Sequence, residues 1–282
     1  MTILLMDTGA IFLIALGLIW IVFAVIQDLK KREIANWLNF SLIIFALGFR
    51  FFYSLFSRGD FVFLYQGLIG FAIFFILGNM LYYGKVFAGG DAKLMIALGA
   101  VLPVSESLYG NLNYFALFFI VFLIAGALYG LIFSLVLGIR NRENFKKEFA
   151  RQFRKNKKLF YFSVIIGGLL IALAFMMEAI LFYLALLVFI SPYIYFFAKA
   201  IDEACMIKLV PVKKLTEGDW IYKDIKVGKR IIKAKWEGLS KEEIILLKKR
   251  YKKVLIRQGI PFSPVFLISY LALIYLFLRK VL

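Results

Sequence analysis

Apolar runs long enough to cross a lipid bilayer recur along most of this chain, and they restrict its fold more than any other feature. Residues 10 to 26 carry no charge, runs follow at 36 to 56 and 61 to 83, and others at 113 to 138, 159 to 200 and 260 to 278. The apolar core of a bilayer takes about 20 residues of helix to cross, so these runs predict a polytopic membrane protein. A composition of 63% hydrophobic and 18% aromatic residues is far outside the range of a soluble domain. The first run has neither a basic n-region nor a small-residue cleavage site, and is expected to be a retained helix rather than a removed signal.

A formal charge of +18 would suggest nucleic acid as partner for a soluble protein, but here it matches the excess of Lys and Arg carried by cytoplasmic loops. The first run ends at Asp28-Leu29-Lys30-Lys31-Arg32, which puts that end inside and the N-terminus outside. The second run returns outward, with Arg50 near its end expected to snorkel to the interface as an anchor. After an outer turn at residues 57 to 60 the third comes in to Tyr82-Tyr83-Gly84-Lys85. Residues 92 to 103 are too few for a full span, which predicts a short helix or a thinned bilayer. The stretch 139 to 158 holds nine Lys or Arg against two Glu and is expected to be a cytoplasmic loop; Glu178 marks an outer turn between the two helices of 159 to 200. Counting runs gives about eight transmembrane helices, with both termini outside and no nucleic acid among the partners.

Residues 201 to 259 form the long polar stretch. Alternation over 207 to 212 and from Trp220 to Lys235 predicts short strands with Gly228 at a turn, and Ser240-Lys241-Glu242-Glu243 starts a basic helix expected to reach about Ile256. The fold class is thus an all-α polytopic membrane protein with a small cytoplasmic α+β insert: a transmembrane domain at 1–200, the insert at 201–259 and a last helix at 260–282.

The chain contains no His and one Cys, Cys205. That removes internal disulfides, multi-cysteine zinc sites and nucleophiles paired with imidazole, leaving carboxylates, hydroxyls and lysines for any chemistry. Asp91 opens the short helix within Phe87-Ala88-Gly89-Gly90-Asp91-Ala92-Lys93, and Asp28 closes the first, so the topology puts two acids at the same inner depth. A charge there is costly and marks a candidate site. Like charges brought close in a partly dehydrated site share one proton, and such a pair can activate water against an amide without metal or cofactor. Gly89 and Gly90 would allow a close backbone approach and a sharp entry into the helix. An ion- or proton-coupled transporter and an inactive membrane scaffold are the alternatives; a transporter calls for midplane charges and an internal repeat, neither of which is evident.

These residues resemble a known family. Ala88-Gly89-Gly90-Asp91-Ala92-Lys93-Leu94 with Ala97-Leu98-Gly99-Ala100 resembles the GxGD motif of type IV prepilin and archaeal preflagellin peptidases, and Asp28-Leu29 with Ile34-Ala35-Asn36 resembles their first-aspartate motif. Ile260-Pro261-Phe262 is similar to the start of the last helix in archaeal members. The resemblance implies that Asp28 and Asp91 are the catalytic pair, that Gly89, Gly90 and Lys93 belong to the active-site loop, and that the core has six helices, to which 159 to 200 adds a hairpin. Ala88 stands where the first motif glycine belongs, and Ala35 replaces the usual proline. With a single cysteine the chain lacks the zinc tetrad of many bacterial members, so it resembles the archaeal, peptidase-only branch. The implied substrates are pilin-like or archaellin-like precursors, cut at the cytoplasmic face before their apolar helix; Glu33, Glu217, Asp219 and Asp224 are candidates for binding a basic leader. The basic loops are suited instead to anionic membrane lipids.

Overall fold

The computed structural model describes residues 8–278 apart from 59, 106 and 229. Gly59 of the expected outer turn and residues 279–282 of the expected last helix lie outside the described residues. The structure is mostly helical, with α1 (Thr8–Lys31), α2 (Asn36–Tyr53, continued by a wider π-helical stretch, Ser54–Arg58), α3 (Val62–Tyr83), α4 (Gly89–Val101) and α5 (Leu108–Arg140). Then come α6 (Arg142–Lys155), α7 (Lys157–Met176), α8 (Ile180–Cys205), α9 (Lys241–Arg250) and α10 (Ser263–Leu278). Six of these, α1, α2, α3, α5, α7 and α8, are long and apolar enough to cross a membrane. Six of the eight predicted spans thus have helices of spanning length among the described residues; α4 has 13 residues and α10 is described over 16. At 1.5 Å per residue α4 rises about 20 Å, short of an apolar core of about 30 Å.

The chain divides into two compact units. The first contains α1 to α4, α10, and α5 as far as Gly130. Its centre is α4, where Leu94, Met95, Ala97, Leu98, Ala100 and Val101 are at most 1% exposed. A helix buried on every side needs neighbours whose backbones come close, and glycines on α3 provide this. A Cβ on Gly70 would stand 2.5 Å from the Gly99 carbonyl oxygen, and one on Gly99 would stand 2.6 Å from that of Gly70. The two backbones touch at this crossing, as small-residue contacts allow between membrane helices.

The C-terminal end of α4 is closed by Arg50. Its guanidinium is fully buried: Nε donates to the Ala100 carbonyl at 2.9 Å, Nη1 to that of Phe63 at 2.9 Å, and Nη2 to those of Val101 at 3.2 Å and Pro103. It also lies over the Phe63 ring, 4.4 Å from the centroid. The expected snorkelling anchor is thus corrected to an internal cap. The last carbonyls of a helix have no partner within it, and a guanidinium carries a fixed fan of donors that can take several at once.

The second unit holds the rest of α5, α6 to α8 and the α+β insert. The basic stretch 139 to 158, expected as a loop, is helical nearly throughout. Phe145, Phe149 and Phe153 recur every fourth residue and pack on Phe196 and Phe197 of α8, with ring centroids 5.6 to 6.4 Å apart. Lys146, Lys147, Arg151, Arg154 and Lys155 stay exposed. Helices α7 and α8 form the expected hairpin, with Glu178 in its turn. In the insert, β1 (Ile207–Pro211), β5 (Lys253–Arg257) and β2 (Trp220–Ile221) make an antiparallel sheet in the order β1-β5-β2, and β3 (Ile225–Val227) pairs with β4 (Arg230–Ile232) around Gly228, whose φ is +64°. Ser240 and Glu243 make the predicted reciprocal cap. The helix they start ends at Arg250 rather than near Ile256, because Val254 and Ile256 alternate into the insert's core as the central strand.

Replacing Arg50 by Met should leave the carbonyls of Ala100, Val101, Phe63 and Pro103 without this donor, at about 1–3 kcal/mol for each buried acceptor left unpaired. Gly67→Ala should act on the same cap, since a Cβ there would overlap the Arg50 side chain. Both should lower the unfolding midpoint in detergent, whereas Gly48→Ala, which enters open space, should not. Equal midpoints for all three would contradict this role.

Candidate active site

One end of the first unit gathers the end of α1, the connection to α2, the start of α4 and the start of α10. Asp28 lies in the last turn of α1 and is 7% exposed. Its Oδ2 accepts a hydrogen bond from the backbone N–H of Ser263, the first residue of α10, at 3.1 Å. Asp91 lies in the first turn of α4, where a helix N-terminus favours negative charge. The charge of Asp28 acts on Asp91, and it acts on Tyr129 of α5, which Arg32 also influences. The two aspartates named from the sequence therefore lie at the same end of one folded unit.

The surrounding contacts hold the two halves of the site in register. Ile34 of the α1–α2 connection is buried and sits on Gly90, where an added Cβ would come within 3.3 Å of the Ile34 Cβ. The Asn39 side chain donates to the Gly90 carbonyl at 3.4 Å, and the Lys93 ammonium donates to Asn36 Oδ1 at 2.7 Å. Lys93 thus ties the first turn of α4 to the start of α2. Gly90 has the close-approach role expected of it, met by the chain that follows the first helix. Gly89 does not: an added Cβ there meets only Tyr82, at 3.7 Å, and neither glycine has a positive φ. Behind the loop, Phe87, Phe122, Phe262 and Phe266 form a ring cluster.

The two departures from the motif have physical accounts. Ala88 is exposed, with φ −68° and ψ 160°, an extended conformation that alanine adopts without strain. Ala35 has φ −64°, which would suit proline, but its N–H donates to the Gln27 side chain at 3.0 Å, a bond that proline could not make. The Ala35 amide thereby fixes the residue next to Asp28.

Three of the four acidic residues considered for leader binding serve the insert's own loops. Asp219 accepts from the Thr216 N–H, and burial pushes its carboxyl above the usual range; Asp224 accepts from the Ala234 N–H, and Glu217 pairs with Lys241. Glu33 is exposed after α1. Ser263, Asn39, Gln27 and Tyr129 were not singled out from the sequence. The Ser263 contact uses a backbone N–H, which no side-chain pattern announces, and Tyr129 is one aromatic in a long apolar helix.

Fold and site together define a polytopic membrane protein with two interacting carboxylates at one end of a helical unit. Residues 15–135 match the model of the type IV leader peptidase family. The chain is 36% identical over 103 residues to a preflagellin peptidase of Methanocaldococcus jannaschii, covering 35% of this chain and 43% of that protein. It is 34% identical over 106 residues to one from Methanococcus maripaludis, covering 35% and 45%, and 33% identical over 89 residues to one from Methanococcus voltae, covering 32% and 37%. It thus spans less than half the length of these curated relatives. No solved structure matches it.

The two glycines should respond differently to substitution. Gly90→Val should lower the detergent unfolding midpoint by forcing Ile34 away, while Gly89→Ala should hold or raise it, since alanine is favoured over glycine in a helix by roughly 0.5–1 kcal/mol. Equal losses at the two positions would contradict the packing described.

Proposed function

We propose that this chain is a membrane aspartyl endopeptidase that removes the N-terminal leader of a pilin-like or archaellin-like precursor at the cytoplasmic face. The observation that carries the reading is the placement of Asp28, in the last turn of α1, and Asp91, in the first turn of α4, at one end of one folded unit, within the segment that matches the leader peptidase model. The names of the relatives support an archaellin-like substrate. In the reaction, one carboxylate takes a proton from water while the other, protonated, donates to the scissile carbonyl oxygen. Gly89, Gly90 and Lys93 belong to the loop that presents Asp91.

The exposed Lys30, Lys31 and Arg32 after the first helix, and the exposed cations of α6, support an orientation with this end and the basic helix inside. The N-terminus is then outside, and the insert at 201–259 is cytoplasmic, between a transmembrane domain at 1–200 and a last helix from 260. Short helices α4 and α10 complete the crossings beside the six longer ones. Anionic lipid headgroups are partners for the basic surface of α6.

Incubating a leader-bearing precursor with membranes that carry the protein should yield cleaved product, and Asp28→Asn or Asp91→Asn should abolish it while the protein still accumulates in membranes. An intact precursor with the unmodified protein would overturn the reading in favour of a transporter or scaffold. Cys205 is 6% exposed and makes a poor topology probe. The exposed Lys213 serves instead: Lys213→Cys should resist a membrane-impermeant thiol reagent added to intact cells and react after permeabilisation. Labelling before permeabilisation would contradict a cytoplasmic insert.

A further inference from the structure

The two aspartates are held differently, and the difference assigns their roles. Asp28 receives a direct N–H donor, from Ser263, at the N-terminus of a helix and in a site where it is 7% exposed. Asp91 shares the first turn of α4, but its carboxylate forms no hydrogen bond among the described residues, and the cap position before it, Ala88, has no side-chain donor or acceptor. The start of α10 leaves this one donor available in a defined way. Pro264, the second residue of α10, has no N–H, and the Val265 N–H is taken by the Phe262 carbonyl, which leaves the Ser263 N–H to point at Asp28. Ser263 itself is fully buried and its Oγ has no hydrogen-bond partner, so the backbone rather than the side chain makes the contact.

An N–H aimed at a carboxylate favours its ionised form, and this donor is what separates the two acids, since Asp28 meets the N-terminal pole of α10 and Asp91 that of α4. For Asp28 this opposes the carbonyl pole of its own helix, which ends three residues later at Lys31. The charged and titratable groups around it are Asp91 on α4, Tyr129 on α5, and Lys30, Lys31 and Arg32 at the end of α1.

From this arrangement we infer that Ser263 is a positioning residue whose backbone N–H holds Asp28 as the ionised partner and general base, leaving the shared proton on Asp91. The inference rests on the peptidase reading. In the forward step the water oxygen bonds to the scissile carbonyl carbon, a water proton passes to Asp28, and the Asp91 proton passes to the carbonyl oxygen. In the second step Asp28 returns its proton to the amide nitrogen as the C–N bond breaks, and Asp91 regains its proton from a hydroxyl of the tetrahedral intermediate. Both aspartates end as they began, and a carboxylic acid and an amine leave.

The test compares the pH dependence of kcat/KM for precursor cleavage in Ser263→Pro and Ser263→Ala. Proline is tolerated in the first position of a helix and has no N–H, and Ser263→Ala controls for loss of the hydroxyl. Activity requires Asp28 ionised, so loss of its donor should move the acid limb to higher pH, by about one unit for a hydrogen bond to a charged group. Ser263→Ala keeps the N–H, and whatever its rate it should hold the limb at the wild-type position. If Ser263→Pro does not accumulate in membranes, lactic acid incorporated at position 263 replaces the amide by an ester, and its comparison with Ser263→Ala isolates the same N–H. An unmoved limb on removal of the N–H, or an equal displacement in Ser263→Ala, would overturn the inference while cleavage itself upholds the peptidase. No cleavage by the unmodified protein would overturn both.

Discussion

The fold depends on burying a short helix whose C-terminal end finishes inside protein. The C-terminal half of α4, from Ala97 to Val101, is inaccessible, so its terminal carbonyls cannot turn to water, and Arg50 supplies the donors from α2. A buried cation is costly unless its hydrogen bonds are made, and carbonyl oxygens are costly unless theirs are. Each defect corrects the other. The glycines of α3 then let the neighbouring backbone close on α4, and Gly67 leaves room for the Arg50 side chain beside the carbonyl of Phe63. One end of α4 is thereby fixed, which makes the position of its other end, with Asp91, a property of the whole unit.

At that other end the chain brings together parts far apart in sequence. The α1–α2 connection packs Ile34 against Gly90, Lys93 reaches Asn36, and Ser263 reaches Asp28. The contacts link backbone and side chain across four helices, so a small movement of α10 or of the α1–α2 connection would act directly on the carboxylates.

Much of this could be read from the sequence, and the failures have definite causes. Runs of apolar residues and two isolated aspartates are properties of side chains, so the helical bundle and the placement of both acids at one end of it are legible there. Arg50 was misread because a cation near the end of an apolar run looks the same whether it reaches water or carbonyl groups; its partners are backbone atoms of residues with no distinctive side chain. Ser263 was missed for the same reason. Helix α6 was hidden by its charges, although Phe145, Phe149 and Phe153 recur at a helical spacing. The last strand of the insert was absorbed into a helix because Lys253 and Arg257 extend the basic run that ends α9, and only the alternation of Val254 and Ile256 separates the two. The start of α9, marked by paired side chains, was read correctly.

The central claim is that Asp28 and Asp91 face a common site. In a chain with Cys205→Ala, the double replacement Asp28→Cys and Asp91→Cys tests it without any assumption about substrate. A short bifunctional thiol reagent applied to membranes should join residues 28 and 91 within one chain, as found by mass spectrometry of the digested protein. Two thiols that each accept a monofunctional reagent but never become joined would contradict the account.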